Sequence, residues 1–180
     1  MKVTPRRAAP RQQRDALGRR LCRNCQNIVP KGRLSYCGRE CESKFAIAYF
    51  PNRSRHAVFA RDRGVCAICG TDTELLRRIL YSAYRVAKGW NPSLLVWQTS
   101  RTYAAETARE LGFPTSITTR GNFWQADHIH ECARGGWGKG LENFRTLCTP
   151  CHKAETARLA AELAAERRGQ STLFPIGGAS

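Results

Sequence analysis

Eight of the nine cysteines in this 180-residue chain stand in four short pairs. Two thiolates on one tight turn can face the same ion, and two such turns complete the tetrahedral shell of four sulfurs that zinc favours. Four pairs therefore predict two such shells, and the chain has to fold so that its pairs meet two by two. The pairs are Cys22 with Cys25, Cys37 with Cys41, Cys66 with Cys69, and Cys148 with Cys151.

The first two pairs stand close together in LCRNCQNIVPKGRLSYCGREC. A segment this short has too little core to fold alone, so bound metal would supply much of its folding free energy. We predict a zinc finger over residues 21–45, with reduced and buried thiols as the alternative. Its ligands would be Cys22, Cys25, Cys37 and Cys41.

The other two pairs predict a second structural zinc. Cys66 and Cys69 lie on a glycine-flanked knuckle, GVCAICG, and Cys148 and Cys151 lie between a predicted strand and a predicted helix. Cys132 remains unpaired, and we interpret it as a bystander thiol because it has no companion that would make it reactive.

The charge of the chain points to nucleic acid. It carries 30 Lys and Arg against 14 Asp and Glu, a formal net charge of +16 at pH 7. Phosphates attract arginine and release counterions on binding, so we expect contacts to the DNA backbone through a basic surface. Charge that only solubilises the chain is the alternative. No apolar run is long enough to span a membrane.

The N-terminal stretch MKVTPRRAAPRQQRDALGRR is arginine-rich and lacks the apolar core of a secretory signal. We expect an intracellular protein, in a reducing compartment where cysteines bind metal. That compartment would be the cytoplasm in a bacterium or phage and the nucleus in a eukaryote. Residues 1–20 have almost nothing to bury and predict a disordered basic arm, and residues 171–180 predict a flexible tail.

Residues 71–122 predict a helical insertion without obvious chemistry. ELLRRILYSAYRVAKG predicts a helix that ends at Gly89, and SRTYAAETAREL predicts a second one, stopped by Gly112 and Pro114. We interpret the bulky side chains here, and Trp124 just beyond, as core rather than as a platform for stacking bases. The apolar positions of the first helix are Leu75, Leu76, Ile79, Leu80, Ala83 and Val86.

After Gly121 the pattern changes to strand, glycine-rich loop, strand and helix. Asp127 and His128 stand near the end of the first predicted strand, NFWQADHIH, and His152 stands in the first turn of the last helix. Neighbours on a regular strand face opposite sides. Asp127 and His128 can therefore share a site only where the strand is strongly twisted or ends.

These side chains suit phosphodiester hydrolysis, which needs a base to activate water and a cation to stabilise charge on the phosphate and the leaving oxygen. An imidazole with an ordinary pKa of about 6.5 lets His128 accept a proton near neutral pH. An aspartate oxygen and a histidine nitrogen can hold Mg²⁺ or Mn²⁺ with open positions for phosphate and water. The amide of Asn143 can orient His128 through its ring or backbone.

The run ADHIHECARGGWGKGLENFRTLCTPCHKAET resembles the motif of HNH endonucleases, a family with a ββα-metal core. The resemblance implies His128 as the general base, Asp127 and His152 as ligands of the catalytic divalent ion, and Asn143 as the orienting residue. It also implies the structural zinc of the zinc-containing branch, with ligands Cys66, Cys69, Cys148 and Cys151.

The layout from Cys22 onward is similar to the HNH module of annealing helicases and to small standalone bacterial proteins. One departure is that His130 and Glu131 stand where the family commonly has an apolar residue and then proline. We interpret His130 as a non-essential surface residue, with a metal ligand or a phosphate contact as alternatives. The expected fold is α+β, with an HNH domain over residues 46–170 and two four-cysteine zinc sites.

The first functional hypothesis is a metal-dependent DNA endonuclease that leaves 5′-phosphate and 3′-hydroxyl ends. It would use two structural Zn²⁺ ions and a catalytic Mg²⁺ or Mn²⁺. The alternatives are a zinc-stabilised nucleic-acid-binding module that does not cut and a protein-interaction module. The full set of Asp127, His128, Asn143 and His152 favours the endonuclease, because a binding module does not need it. Nicking and structure-selective cutting stay open.

Overall fold

The computed structural model describes residues 9–86, 94–116 and 123–172. The fold is α+β, and the order β1, β2, α5 forms the predicted ββα core. Short 3₁₀ turns at Cys132–Arg134 and Leu141–Asn143 lie between the strands. The helices and strands are α1 (Arg39–Tyr49), α2 (Pro51–Asp62), α3 (Thr73–Val86), α4 (Leu94–Glu110), β1 (Trp124–His128), β2 (Phe144–Cys148) and α5 (Thr149–Thr172).

Phe45 is the centre of the core in the first of two compact units. Its ring is fully buried, and it packs against Tyr36 and Tyr49 at centroid distances of 5.4 and 4.6 Å. Arg23 places its guanidinium carbon 4.4 Å from the centroid of the same ring. An aromatic cluster on α1 is thus joined to the first cysteine finger.

The first unit comprises Met1–Ala67 and Ala126–Thr146, and the second unit comprises Ile68–Gln125 and Leu147–Ser180.

The second unit contains the helical insertion, and α3 packs on α4 there. Phe113 stacks on Phe123 at a centroid distance of 5.2 Å, and Trp124 is buried as predicted. Leu75 and Ile79 on α3, by contrast, are exposed although they were predicted to lie in the core, because helical spacing does not show which side of a helix another element covers. The predicted helix end at Gly89 lies outside the described residues. No helix among those described is both long and apolar enough to span a bilayer.

Residues 9–20 fall in the segment predicted to be a disordered arm, yet they are hydrogen-bonded to the finger and to each other. Arg14 and Arg20 form an antiparallel bridge around a turn that Asp15 closes with its carboxylate. Gln12 Nε2 donates to the carbonyl of Leu34 at 2.7 Å. Such side-chain contacts order a stretch that buries little apolar surface, which composition cannot show. The predicted domain boundaries stay predictions.

Strands β1 and β2 form a two-stranded sheet whose register is set at both ends. At one end the N–H of Ile129 donates to the carbonyl of Asn143 at 2.8 Å. At the other, the N–H of Thr149 donates to the carbonyl of Phe123 at 3.0 Å. Because the end of β1 meets the start of β2, the strands are antiparallel and form a hairpin.

The end of α2 is fastened to this hairpin by Arg61 and Asp62. Arg61 donates to the carbonyls of Leu141 and Phe144 at 3.1 and 2.7 Å, and it pairs with Asp62 at 2.6 and 2.9 Å. Asp62 also accepts a hydrogen bond from Thr146 Oγ1 at 2.9 Å. Hydrogen bonding to Arg61 and Thr146 holds the pKa of Asp62 below its usual value, so the carboxylate stays charged.

We expect Thr146→Val to lower the free energy of unfolding by about 2 kcal/mol, because it removes a buried hydrogen bond to a charged group at nearly constant volume. Urea unfolding measures the loss. The control is Thr102→Val at an exposed position of α4, which should change stability by less than about 0.5 kcal/mol. Equal effects of the two substitutions would contradict the role of the Thr146 hydroxyl.

Candidate active site and metal centres

The first cysteine cluster gathers four sulfurs that all lie within 4.8 Å of one another. Cys37 Sγ lies 3.6 Å from the sulfur of Cys25 and 3.4 Å from that of Cys41. A disulfide would need about 2.05 Å, whereas four sulfurs about 2.3 Å from a zinc ion are about 3.8 Å apart. The geometry therefore suits a tetrahedral metal ion such as zinc. The four residues are Cys22, Cys25, Cys37 and Cys41.

Backbone hydrogen bonds in local turns position Cys22 in this cluster. The N–H of Cys22 donates to the carbonyl of Asn27 at 2.7 Å, and its own carbonyl accepts from the N–H of Gln26. Burial raises the pKa of the Cys22 thiol, but hydrogen bonds from the backbone of Cys25 and Cys37 outweigh it and lower that pKa to about 6. Hydrogen bonding to neighbouring sulfurs raises the pKa of Cys37 to about 12. A bound dication would replace the protons that these crowded thiols retain.

The second cluster joins the other two pairs, as their spacing predicted. Its sulfurs also lie within 4.8 Å of one another, and those of Cys69 and Cys148 are 3.6 Å apart. The N–H of Ala67 donates to the carbonyl of Thr146 at 2.8 Å, which pairs the knuckle with β2. The members are Cys66, Cys69, Cys148 and Cys151.

We expect two zinc ions per chain in protein purified without added metal, because each four-thiol cluster fits one tetrahedral ion. Elemental analysis measures this number. Cys41→Ser should lower it to about one, whereas Cys132→Ser, which removes the cysteine outside both clusters, should leave it unchanged. One zinc ion in the unaltered chain would show that one of the clusters binds no metal.

Asp127 lies opposite Arg145 in the register of the hairpin, and the two side chains form an ion pair. Arg145 Nε lies 3.1 Å from Asp127 Oδ2, and the exposed fractions of the two side chains are 25% and 21%. The predicted ligand of the catalytic ion thus carries a guanidinium beside it. No sequence motif marks Arg145 in advance, because its neighbour is set by the strand register across a loop of irregular length.

His128 lies opposite Phe144, on the other face of the hairpin from Asp127. Its ring centroid is 4.3 Å from that of Phe144 and 6.2 Å from that of Trp137. His128, Phe144 and Trp137 line a cavity of about 100 Å³, together with Tyr49 and other residues. Strand β1 ends at His128, which meets one of the two conditions under which Asp127 and His128 can serve one site.

The imidazole of His128 is neutral at pH 7. Burial lowers the pKa of His128 from its ordinary value of 6.5, and the charge of Asp127 opposes the shift. Within the described part of the chain, its buried Nε2 has no hydrogen-bond partner. A neutral imidazole can accept a proton, which is the state that a general base requires.

Asn143 fastens the loop that follows β1. Its side chain is buried, its Oδ1 accepts from the N–H of His130 at 2.8 Å, and its Nδ2 donates to the carbonyls of His130 and Gly136 at 3.1 and 2.8 Å. A Cβ on Gly136 would lie 1.6 Å from the carbonyl oxygen of His130, so the loop requires glycine there. Asn143 thus holds the backbone just beyond His128, and not its ring.

The remaining two histidines of the motif region have distinct surroundings. The ring Nε2 of His130 lies 2.8 Å from the carbonyl oxygen of Arg134, within the same loop. His152 is half-buried in the first turn of α5, and its carbonyl accepts from Thr156 Oγ1 at 2.8 Å. The partnership of His152 with Asp127 around a divalent ion stays a prediction.

We expect Asn143→Ala to lower the free energy of unfolding by about 3 kcal/mol, because it leaves buried backbone groups of His130 and Gly136 without partners. Chemical denaturation measures the loss. Asn52→Ala, at an exposed position of α2, is the control and should have little effect. A stable Asn143→Ala variant would mean that these three hydrogen bonds do not hold the loop.

Residues 112–158 match the family described as HNH endonuclease. The matched segment includes both strands of the hairpin, its glycine-rich loop, and Asp127, His128, Asn143 and His152. The chain belongs to the HNH endonuclease family through this segment, and the resemblance found in the sequence is confirmed.

Among the relatives are proteins called DNA annealing helicase and endonuclease ZRANB3. The mouse protein (Mus musculus) is 34% identical over 167 residues and the human protein (Homo sapiens) 31%. Each match covers 86% of this chain but 15% of the relative, so the chain spans a small part of their length. The crystal structure of the human ZRANB3 HNH domain is 33% identical, covering 63% of this chain and 92% of that one, with a TM-score of 0.39.

Proposed function

We propose that this chain is a metal-dependent DNA endonuclease that hydrolyses phosphodiester bonds to 5′-phosphate and 3′-hydroxyl ends. The observation that carries the proposal is the end of β1. A carboxylate, Asp127, and a neutral imidazole, His128, stand there side by side in sequence, and Asn143 holds the backbone that follows. Membership of the HNH family and the endonuclease activity named for the relatives support the same chemistry.

In the proposed reaction His128 takes a proton from a water molecule, whose oxygen forms a bond to phosphorus. The bond between phosphorus and the 3′ oxygen breaks, and the leaving oxygen takes a proton from solvent to become the 3′-hydroxyl. Asp127 and His152 would hold the catalytic Mg²⁺ or Mn²⁺, since one carboxylate and one imidazole suit such ions. When bound, the ion stabilises charge on the phosphate and the leaving oxygen. The four-cysteine sites would hold structural Zn²⁺, which has no open position for water.

DNA is the proposed substrate, bound mainly through its phosphates by a chain of net charge +16. We also propose an intracellular location, the nucleus in a eukaryote and the cytoplasm in a bacterium or phage. The helicase activity in the relatives' name is not proposed for this chain, which spans 15% of their length.

A second candidate is a zinc-stabilised module that binds nucleic acid without cutting it. The ion pair of Asp127 with Arg145 favours this candidate, because it engages the carboxylate that an endonuclease would use for its ion. The two candidates differ in whether cleavage follows binding, which the next experiment measures.

Nicking of supercoiled plasmid in Mg²⁺ or Mn²⁺ tests the endonuclease. We expect His128→Ala to lower the rate about 100-fold or more while DNA binding and thermal stability persist, since general-base catalysis contributes on this order. The control is His56→Ala, at an exposed position of α2, which should cut at the original rate. Equal cleavage by His128→Ala and the unaltered chain would refute the role of His128, and binding without any cleavage would favour the second candidate.

The same assay separates the two kinds of metal. Dialysis against a mild chelator should abolish nicking without changing the melting temperature, because the catalytic ion has two protein ligands and each zinc has four. Added Mg²⁺ or Mn²⁺ should then restore cleavage, and Asp127→Ala should resist this rescue. Nicking at full rate after the exchangeable ions are removed would contradict the metal-dependent mechanism.

A further inference from the structure

We propose that a water molecule buried beside His128 accepts hydrogen bonds from the Nε2–H of His128 and the Nε1–H of Trp137, and thereby leaves Nδ1 of His128 unprotonated. That nitrogen can then take a proton from the separate water that attacks phosphorus. Trp137 is a positioning residue, which acts on His128 through the buried water. The inference rests on the proposed function, since it takes His128 as the general base.

Two buried nitrogens at one cavity are the first observation. Nε2 of His128 and Nε1 of Trp137 are both shielded from solvent, and neither has a hydrogen-bond partner among the residues that the structure describes. Both side chains line the same cavity of about 100 Å³, and their ring centroids are 6.2 Å apart. A buried polar group without a partner destabilises a fold, so two of them at one cavity indicate a small molecule that bonds both.

The cavity has the room and the polar lining that an internal water requires. A single water needs roughly 10–15 Å³ of such volume and about two to four polar partners. Ser54 supplies a third partner, because its buried side chain lines the same cavity. Its hydroxyl donates its hydrogen to the carbonyl of Ile47 at 2.6 Å, so its oxygen keeps lone pairs that can accept a hydrogen bond from the water.

The chemistry of the two nitrogens requires an oxygen atom between them. An indole N–H can only donate. Because Nε2 of His128 is buried, Nδ1 is the ring nitrogen that can approach a substrate, and it can accept a proton only while Nε2 carries the ring hydrogen. Both buried nitrogens are then donors, which cannot bond each other, whereas a water oxygen accepts from both. The buried water thus stabilises the tautomer in which Nδ1 is the base.

Contacts with α1 hold the indole of Trp137 at this cavity. Its ring packs edge-on against Tyr49 at a centroid distance of 6.4 Å. The next residue, Gly138, has a φ of +80°, and a Cβ there would lie 2.6 Å from Tyr49 Oη. Glycine at this position therefore lets the loop approach Tyr49 closely, and Trp137 is placed beside His128 by the same approach.

Nuclear magnetic resonance of the isotope-labelled, zinc-loaded chain tests the water and the tautomer without any cleavage. We expect the indole N–H of Trp137 to show a nuclear Overhauser effect with the sign of a long-lived, bound water. At a pH well above about 6.5, the ordinary pKa of histidine, the nitrogen shifts of His128 should show Nε2 protonated and Nδ1 bare. Trp137→Phe removes one bond that holds the water, so part of the ring hydrogen should move to Nδ1.

Nicking kinetics test what the buried water does for catalysis. Trp137→Phe should lower kcat about 10-fold, on the order of one lost hydrogen bond. It should leave KM within about 2-fold, because the change reaches the base and not the bound DNA. Ser54→Ala removes the acceptor and should have the same effect. The matched control is Tyr103→Phe, which removes a hydroxyl from an exposed ring on α4 and should change neither constant.

Failure of the inference is distinct from failure of the proposed function. If the bound water and the expected tautomer are present but His128→Ala cuts as fast as the unaltered chain, the base of the proposed function is wrong, and the catalytic role of the water with it. If cleavage requires His128 but Trp137→Phe keeps the original kcat and tautomer, the inference alone is overturned.

The unaltered chain decides the matter even if Trp137→Phe does not fold. No long-lived water at the indole N–H of Trp137 would overturn the inference, and so would an Nδ1 of His128 that carries the ring hydrogen.

Discussion

Crowding of sulfur is the constraint on which the rest of this structure depends. Each cluster places four thiols within 4.8 Å of one another, where thiolates repel unless a cation lies among them. A metal ion bound at either cluster would therefore contribute to the folding free energy of the chain. The second cluster includes Cys148 at the end of β2 and Cys151 in the first turn of α5. The cluster thus lies where β2 ends and α5, the helix that carries His152, begins.

Alternation along a β-strand divides the candidate active site between two environments. Asp127 meets a guanidinium on one face of the hairpin, and His128 meets the rings of Phe144 and Trp137 on the other. The apolar environment lowers the pKa of the His128 imidazole and keeps that ring neutral at pH 7. Two neighbours in sequence thereby lie in a charged and an apolar environment, which suit an ion ligand and a base.

Support for the hairpin comes mostly from groups without catalytic chemistry of their own. Arg61, Asp62 and Thr146 fasten the start of β2 to α2 through hydrogen bonds to carbonyls and a buried hydroxyl. Asn143 likewise holds the loop after β1 through its side-chain hydrogen bonds. If Asn143 orients His128 as predicted, it would do so through the backbone of His130. Gly136 completes the arrangement, because a side chain there would collide with that backbone.

The sequence by itself determined the features that depend on local spacing. Cysteine intervals predicted the two clusters, helical spacing predicted α3, the stop at Gly112 and Pro114 predicted the end of α4, and the pattern around Asp127, His128 and Asn143 predicted the family. Tertiary structure alone decided which side chains meet across long separations. Three features depend on register and on neighbouring elements. They are the hydrogen-bonded turns of residues 9–20, the exposure of Leu75 and Ile79, and the pairing of Asp127 with Arg145. A linear pattern carries spacing along one element, whereas register and burial arise only when two elements pack together.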